Sequence, residues 1–202
     1  MRVVDRIEPY KGKTCAVVFT DGARVYLHGE IAAQYSLSEG TRIPDEALEE
    51  IIRTDTLRRA RQRALFLIDA REYSYTGLYE KLQANYPDDV CFAVLDELVR
   101  GGQVNDRRYA QQLARTLTEV KKLGFYRARQ EMRMKGISSE LAEEALAEYE
   151  DDASARLAEL IRRKYLRKLE AENGRQKVVA ALARLGYAYE EIRAALDEIE
   201  EE

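Results

Sequence analysis

A chain of 202 residues with one histidine and two cysteines has few ways to build a catalytic site. His28 stands alone at the end of a strand-like run. No second histidine exists to serve another nucleophile, so it reads as an ordinary edge histidine. Cys15 and Cys91 lie far apart, in no metal-binding spacing, and read as buried, reduced thiols. The carboxylate pairs Glu143-Glu144 and Glu190-Glu191 sit near helix starts and read as solvated faces. No glycine-rich loop has the form that cradles a phosphate. These residues offer no catalytic constellation and no metal-binding spacing of the cysteines.

Positive charge is the remaining chemistry. Lys121, Lys122, Arg127, Arg129, Arg133 and Lys135 fall in a short span interrupted by Glu131 alone. Arg129 and Arg133 are four apart, on one helical face. A second cluster is Arg162, Arg163, Lys164, Arg167 and Lys168, with Arg163 and Arg167 again four apart. A third is Arg58, Arg59, Arg61 and Arg63. The whole chain carries a net charge of −4, which argues against coating bare nucleic acid by bulk charge. Residues 56–149 are nevertheless slightly basic, with 16 Lys and Arg against 14 Asp and Glu. One such cluster is commonly just a solvated helix face. Three in series suit a shared binding surface on a repeat array. The expected partner-binding residues are Lys121, Lys122, Tyr126, Arg127, Arg129, Arg133 and Lys135, with Arg163 and Arg167.

The elements that must carry these residues are mostly helical. Ala, Leu, Glu and Arg are abundant and only three prolines occur. The N-terminus differs. Arg2–Glu8, Thr14–Thr20 and Ala23–His28 read as strands, and Asp21-Gly22 supplies the turn of a hairpin. A lone hairpin is marginal in water, so this sheet must pack on the short segment 30–36 and on the next helix. Gly40 is expected to end that segment. Pro44 and the acidic run from Asp45 open a helix that continues to Asp69, with a break expected near Thr54–Thr56. Leu57, Ala60, Ala64, Leu65, Leu67 and Ile68 form its apolar side.

From Ser74 one pattern recurs three times. Ser74, Asn105 and Ser138 are predicted N-caps. Gly101-Gly102, Gly124 and Gly136 are predicted stops. Tyr109, Leu113, Leu117 and Val120 are expected to face inward in the second round. Leu157, Leu160, Ile161, Tyr165, Leu166 and Leu169 do so in the third. Leu82, Met132 and Leu182 correspond at a spacing of about 50 residues. Asn85, Gly136 and Gly186 then correspond at a helix stop, followed by Tyr86, Ile137 and Tyr187. A period of this length, with three helices in each, is the signature of a repeat array. The predicted fold is mainly α, built of tandem three-helix repeats with a small N-terminal β-hairpin or sheet subdomain. The predicted divisions are residues 1–54, 55–102, 103–149 and 150–202.

Several of these stretches together resemble the RecX family, bacterial regulators of the recombinase RecA. Ala70-Arg71-Glu72-Tyr73-Ser74 with Leu78 and Lys81-Leu82 is similar to the family's first-repeat segment. Gly102-Gln103-Val104-Asn105-Asp106-Arg107-Arg108-Tyr109-Ala110 is similar to its second-repeat entry. Gly124, Arg127, Arg129, Met132 and Lys135-Gly136-Ile137 are similar to its second-repeat core. Met132 stands where a leucine is usual, a tolerable exchange in a core. Gln83-Ala84-Asn85 departs from the basic, glycine-containing helix end common in the first repeat.

The resemblance implies an elongated, curved array that lodges on the RecA filament on single-stranded DNA. It implies a non-enzymatic modulator without a cofactor, which inhibits ATPase, strand exchange and coprotease activity, in DNA repair, recombination and the SOS response. A monomer with weak direct DNA contact is expected. The N-terminus has no signal-peptide core and no run is long enough to span a bilayer, so a cytoplasmic location is expected. Two other readings remain. Three-helix units with basic helices are also similar to helix-turn-helix modules, which makes a direct DNA-binding regulator the alternative. A plain helical adaptor is the third.

Overall fold

The strand signals fold into a four-stranded antiparallel sheet of order β3-β2-β1-β4. The computed structural model describes residues 1–201; Glu202, the end of the acidic tail, lies outside the described residues. The strands are β1 (Arg2–Lys11), β2 (Thr14–Phe19), β3 (Arg24–His28) and the two-residue β4 (Arg42–Ile43). Asp21-Gly22 makes the β2–β3 turn as expected. Gly22 takes φ +85°, and the Asp21 carboxylate accepts from the Ala23 N–H at 2.9 Å. Strand β4 carried no pattern of its own. It forms because the Gly40 N–H donates to the Val4 carbonyl at 2.8 Å and brings Arg42 beside Val3.

Helix α1 (Gly29–Gln34) and helix α2 (Asp45–Ala70) cover the inner face of the sheet. Val4, Val17, Phe19, Leu27, Ile31, Ile43, Leu48 and Ile51 form one apolar core there. Gly40 is not the stop of α1. The helix ends earlier, with Ser36 at φ +51°, and Gly40 turns the chain into β4. Helix α2 does not break near Thr54–Thr56. The Thr54 and Thr56 hydroxyls donate to the carbonyls of Glu50 and Ile52, so they are satisfied inside the helix. Leu65, expected inside, is exposed on it.

The lone histidine has a local structural job. Its Nδ1 accepts from the Glu30 N–H at 3.3 Å and caps α1. Its own N–H donates to the buried carboxylate of Asp55 at 3.0 Å, and Arg59 holds the other oxygen of that carboxylate at 2.9 Å.

The remaining helices are α3 (Tyr75–Leu82), α4 (Asp88–Arg100), α5 (Asp106–Arg115), α6 (Phe125–Met134), α7 (Ser139–Ala147), α8 (Ala153–Lys164), α9 (Leu166–Leu169), α10 (Gly174–Arg184) and α11 (Tyr189–Glu201). Among the described residues, none of the helices is long and apolar enough to cross a membrane. The residues group into two compact units: 1–71 with 78–101, and 72–77 with 102–201. The first unit holds the sheet, with α2 packed on α4. In the second, α5 packs on α7 around Leu113, Leu117, Met132, Ile137 and Leu146. Helices α8, α10 and α11 enclose Leu157, Ile161, Val178, Leu182, Ile192 and Leu196.

Two predicted stops come out differently. Gly124 does not end the helix that Asn105 starts. Helix α5 passes into a π-helical turn over Thr116–Val120, closed by Lys121 N–H donating to the Thr116 carbonyl at 3.0 Å. The chain then turns at Lys122, whose φ is +53°. The wide turn shifts the register of the helix face, so Val120, expected inside, is 76% exposed and Thr118 is buried instead. The second difference is Asn85. Gly136 and Gly186 take φ +80° and +91°, but Asn85 is not left-handed. In the first round the Leu82 carbonyl accepts from Tyr86 N–H, four residues on. Met132 and Leu182 accept from Ile137 and Tyr187, five residues on. Only the longer closure needs the left-handed residue. In the third round, Leu166 is exposed because the helix is interrupted at Tyr165.

Candidate partner-binding surface

Helix α6 begins at Gly124, and that glycine fixes where the helix can sit. A Cβ on Gly124 would lie 2.4 Å from the Gly186 carbonyl carbon, and one on Gly186 would lie 2.4 Å from the Arg127 nitrogen. Glycine at both positions lets the two backbones touch. Gly124 N–H then donates to the Leu185 carbonyl at 2.9 Å. The same junction occurs fifty residues earlier. Gly136 packs against Ser74 and Gly77, and the Ser74 hydroxyl donates to the Lys135 carbonyl at 2.5 Å. Ser74 also accepts from Gly77 N–H at 3.0 Å, which makes it the cap the sequence predicts.

Pinned this way, α6 buries Ala128 and Met132 and presents Tyr126, Gln130, Arg133 and Met134 to solvent. Tyr126 and Met134 are 62% and 64% exposed. With Arg129 these residues line a shallow depression of about 450 Å³. Tyr126 also borders a second cleft of about 390 Å³, which includes Thr118, Tyr149, Arg156, Tyr187 and Glu191. Phe125 braces the Tyr126 ring edge-on, with centroids 5.6 Å apart. Tyr187 donates its hydroxyl to the Lys122 carbonyl at 3.0 Å, and burial pushes its pKa up to about 12, so it stays a neutral donor.

The nine predicted residues divide by their partners. Arg127 pairs with Glu131 at 2.9 Å and Arg129 with Glu143 at 2.7 Å. Glu159 holds Lys122 at 3.7 Å and Arg163 at 3.2 Å, which joins those two expected residues through one acid. Lys121, Arg133, Lys135 and Arg167 form no ion pair among the described residues. The structure therefore brings Tyr126, Arg129 and Arg133 together on one helix. It places Arg163 and Lys122 on one acid, and Arg167 forms no ion pair among the described residues. Gln130 and Met134, absent from the nine predicted residues, line the same depression, and their spacing from Tyr126 is that of one helical face. The cleft around Arg156 had no readable signal, because it depends on the π-helical turn.

Both cysteines are free, and burial raises both thiols above their ordinary range, which keeps them protonated. Among the described residues no group of three His, Cys, Asp or Glu could hold a metal ion.

The family described as "RecX, second three-helix domain" matches residues 105–146, which contain this helix. A "Regulatory protein RecX" of Prosthecochloris aestuarii is 34% identical over 143 residues, covering 70% of this chain and 94% of that protein. A protein of the same name from Clostridioides difficile is 25% identical over 98% of this chain and 96% of its own length. A crystal structure of regulatory protein RecX shares the fold with a TM-score of 0.71, covering 98% of this chain and 100% of that one at 20% identity. A second, of RecX from Lactobacillus salivarius, has a TM-score of 0.67, covering 73% of this chain and 98% of that one at 21% identity.

Proposed function

The chain belongs to the RecX family, and on that premise we propose that it is a non-enzymatic regulator of the RecA nucleoprotein filament. It binds the filament on single-stranded DNA and mainly inhibits RecA ATPase, recombinase and coprotease activity. It acts in the cytoplasm as a monomer, by protein–protein contact, in recombination, repair and the SOS response. The relatives that carry the name regulatory protein and are covered nearly to their full length, 94% and 96%, support this reading most.

The binding face is α6. Tyr126 and Met134 supply apolar contact, and Arg133 supplies a charge that no acid among the described residues takes up in an ion pair. An aromatic anchor beside an arginine is the composition in which interface energy concentrates. Arg127, Arg129 and Arg163 already have partners, so they shape the local potential more than they bind. Lys121, Lys135 and Arg167, which form no ion pair among the described residues, steer an acidic filament toward the face, and Lys122, paired with Glu159, adds to the local potential.

The test is RecA ATPase on single-stranded DNA, titrated with this protein. The reading predicts a dose-dependent fall in the rate. An unchanged rate, with tight and sequence-specific binding to duplex DNA instead, would establish the helix-turn-helix alternative.

A further inference from the structure

The outer face of the N-terminal sheet carries a second surface of different chemistry. The inner residues Val17 and Leu27 belong to the core under α1 and α2. On the other face the register sets Glu8, Ala16 and Tyr26 in a row across β1, β2 and β3, and Arg6, Val18 and Arg24 in the next row. Tyr10 has no partner in that register, because β1 shifts between Pro9 and Lys11. Such a bulge re-aims a side chain. Here the Tyr10 ring meets the Tyr26 ring, with centroids 4.6 Å apart and planes tilted by 50°. The small side chain of Ala16 leaves the space between them, and it is only 4% exposed. Tyr10 and Tyr26 themselves are 65% and 44% exposed.

Charge surrounds the pair. Lys11 and Lys13 flank Gly12 in the β1–β2 turn, and Arg24 starts β3. None of the three forms an ion pair among the described residues. The nearby carboxylates, Asp5 and Glu8, share the Arg6 guanidinium, at 2.5 Å and 2.7 Å. Arg6 thus engages both acids and Arg24 adds its charge near Glu8, while Lys11 and Lys13 form no ion pair among the described residues. Two exposed aromatic faces beside unpaired cations match a strand with unstacked bases and a charged backbone. A duplex hides its base faces, and a protein partner would gain more from a continuous apolar groove.

We propose that the outer sheet face binds single-stranded DNA. Bases stack on Tyr10 and Tyr26, while Lys11, Lys13 and Arg24 neutralise phosphates. This site does not rest on the RecA reading, and its test omits RecA.

The experiment measures anisotropy of a labelled oligo-dT of about 20 nucleotides, a length that spans one such platform. An abasic strand of equal length is the control, and the protein is the full chain. The wild type binds oligo-dT more tightly than the abasic strand. The variant Tyr10→Ala/Tyr26→Ala raises Kd about tenfold or more. Tyr10→Phe/Tyr26→Phe, which keeps both rings, restores wild-type binding. Lys11→Ala/Lys13→Ala/Arg24→Ala flattens the dependence of log Kd on log salt. Should the alanine pair shift the unfolding midpoint, Tyr10→Leu/Tyr26→Leu keeps the apolar cover over Ala16 and shows the same loss of binding. The proposal is overturned by equal binding of the dT and abasic strands. It is also overturned by no binding at all, or by leucine variants that bind as the wild type does.

Discussion

Single residues in this chain are mostly occupied with holding helices in place. Asp106 at the first turn of α5 accepts from the Tyr75 N–H at 2.7 Å. Burial raises its pKa, and the Tyr75 bond only partly offsets that. The folded state therefore binds a proton more readily than the unfolded chain. Its desolvation penalty is fully present at neutral pH and relaxes as pH falls toward the ordinary carboxylate value of about 4. Asp106→Asn keeps a carbonyl acceptor for Tyr75 and removes the charge. Urea midpoints should show the variant at least as stable as wild type at neutral pH, with the gap closing at acid pH. A variant less stable at neutral pH would show that the charge itself is favourable there. The caps Ser74, Asn105 and Ser138 were legible because they are local. Asp106 was legible only as a helix-start acid. Its partner is thirty-one residues away, and no local pattern points to it.

At the scale of elements, the junction between rounds is made of backbone. Gly136 meets Ser74 and Gly77, and Gly186 meets Gly124 and Arg127, at positions fifty residues apart. The sequence shows Gly136 and Gly186 as helix stops, and so they are. Their second role, close approach to the preceding round, depends on tertiary packing and is silent in a single sequence. It also explains Gly124, which has an ordinary negative φ of −75° and so does not need glycine for its conformation. A comparison separates the two roles. Gly102 has φ +72° and open space around it, so Gly102→Ala should cost about 1–2 kcal/mol from the left-handed backbone alone. Gly186→Ala adds a clash with the Arg127 backbone and should cost roughly 3 kcal/mol or more. Equal losses in urea unfolding would mean that the junction yields freely. The π-helical turn was the least legible element. Its extra residue moves Val120 out and Thr118 in, and nothing in Thr116-Leu117-Thr118-Glu119-Val120 departs from an ordinary helix pattern.

For the whole molecule, the helical class, the N-terminal sheet and the core positions were readable because apolar periodicity survives in every round. The sequence names nine residues for the proposed binding face. Sequence counts cations, but it does not show which of them internal acids already hold. Glu131, Glu143 and Glu159 take up Arg127, Arg129, Lys122 and Arg163. Lys121, Arg133, Lys135 and Arg167 form no ion pair among the described residues, and of these Arg133 lies beside exposed Tyr126 and Met134 on the outer stripe of α6, the proposed partner face. The most direct measurement is the affinity of two triple variants for RecA filaments assembled on single-stranded DNA, each compared with wild type at matched stability. Tyr126→Ala/Arg133→Ala/Met134→Ala should weaken binding at least tenfold, while Arg127→Ala/Arg129→Ala/Arg163→Ala, which removes only internally paired cations, should change it by about threefold or less. Equal losses from both variants, or the larger loss from the second, would contradict the assignment of the partner face to α6.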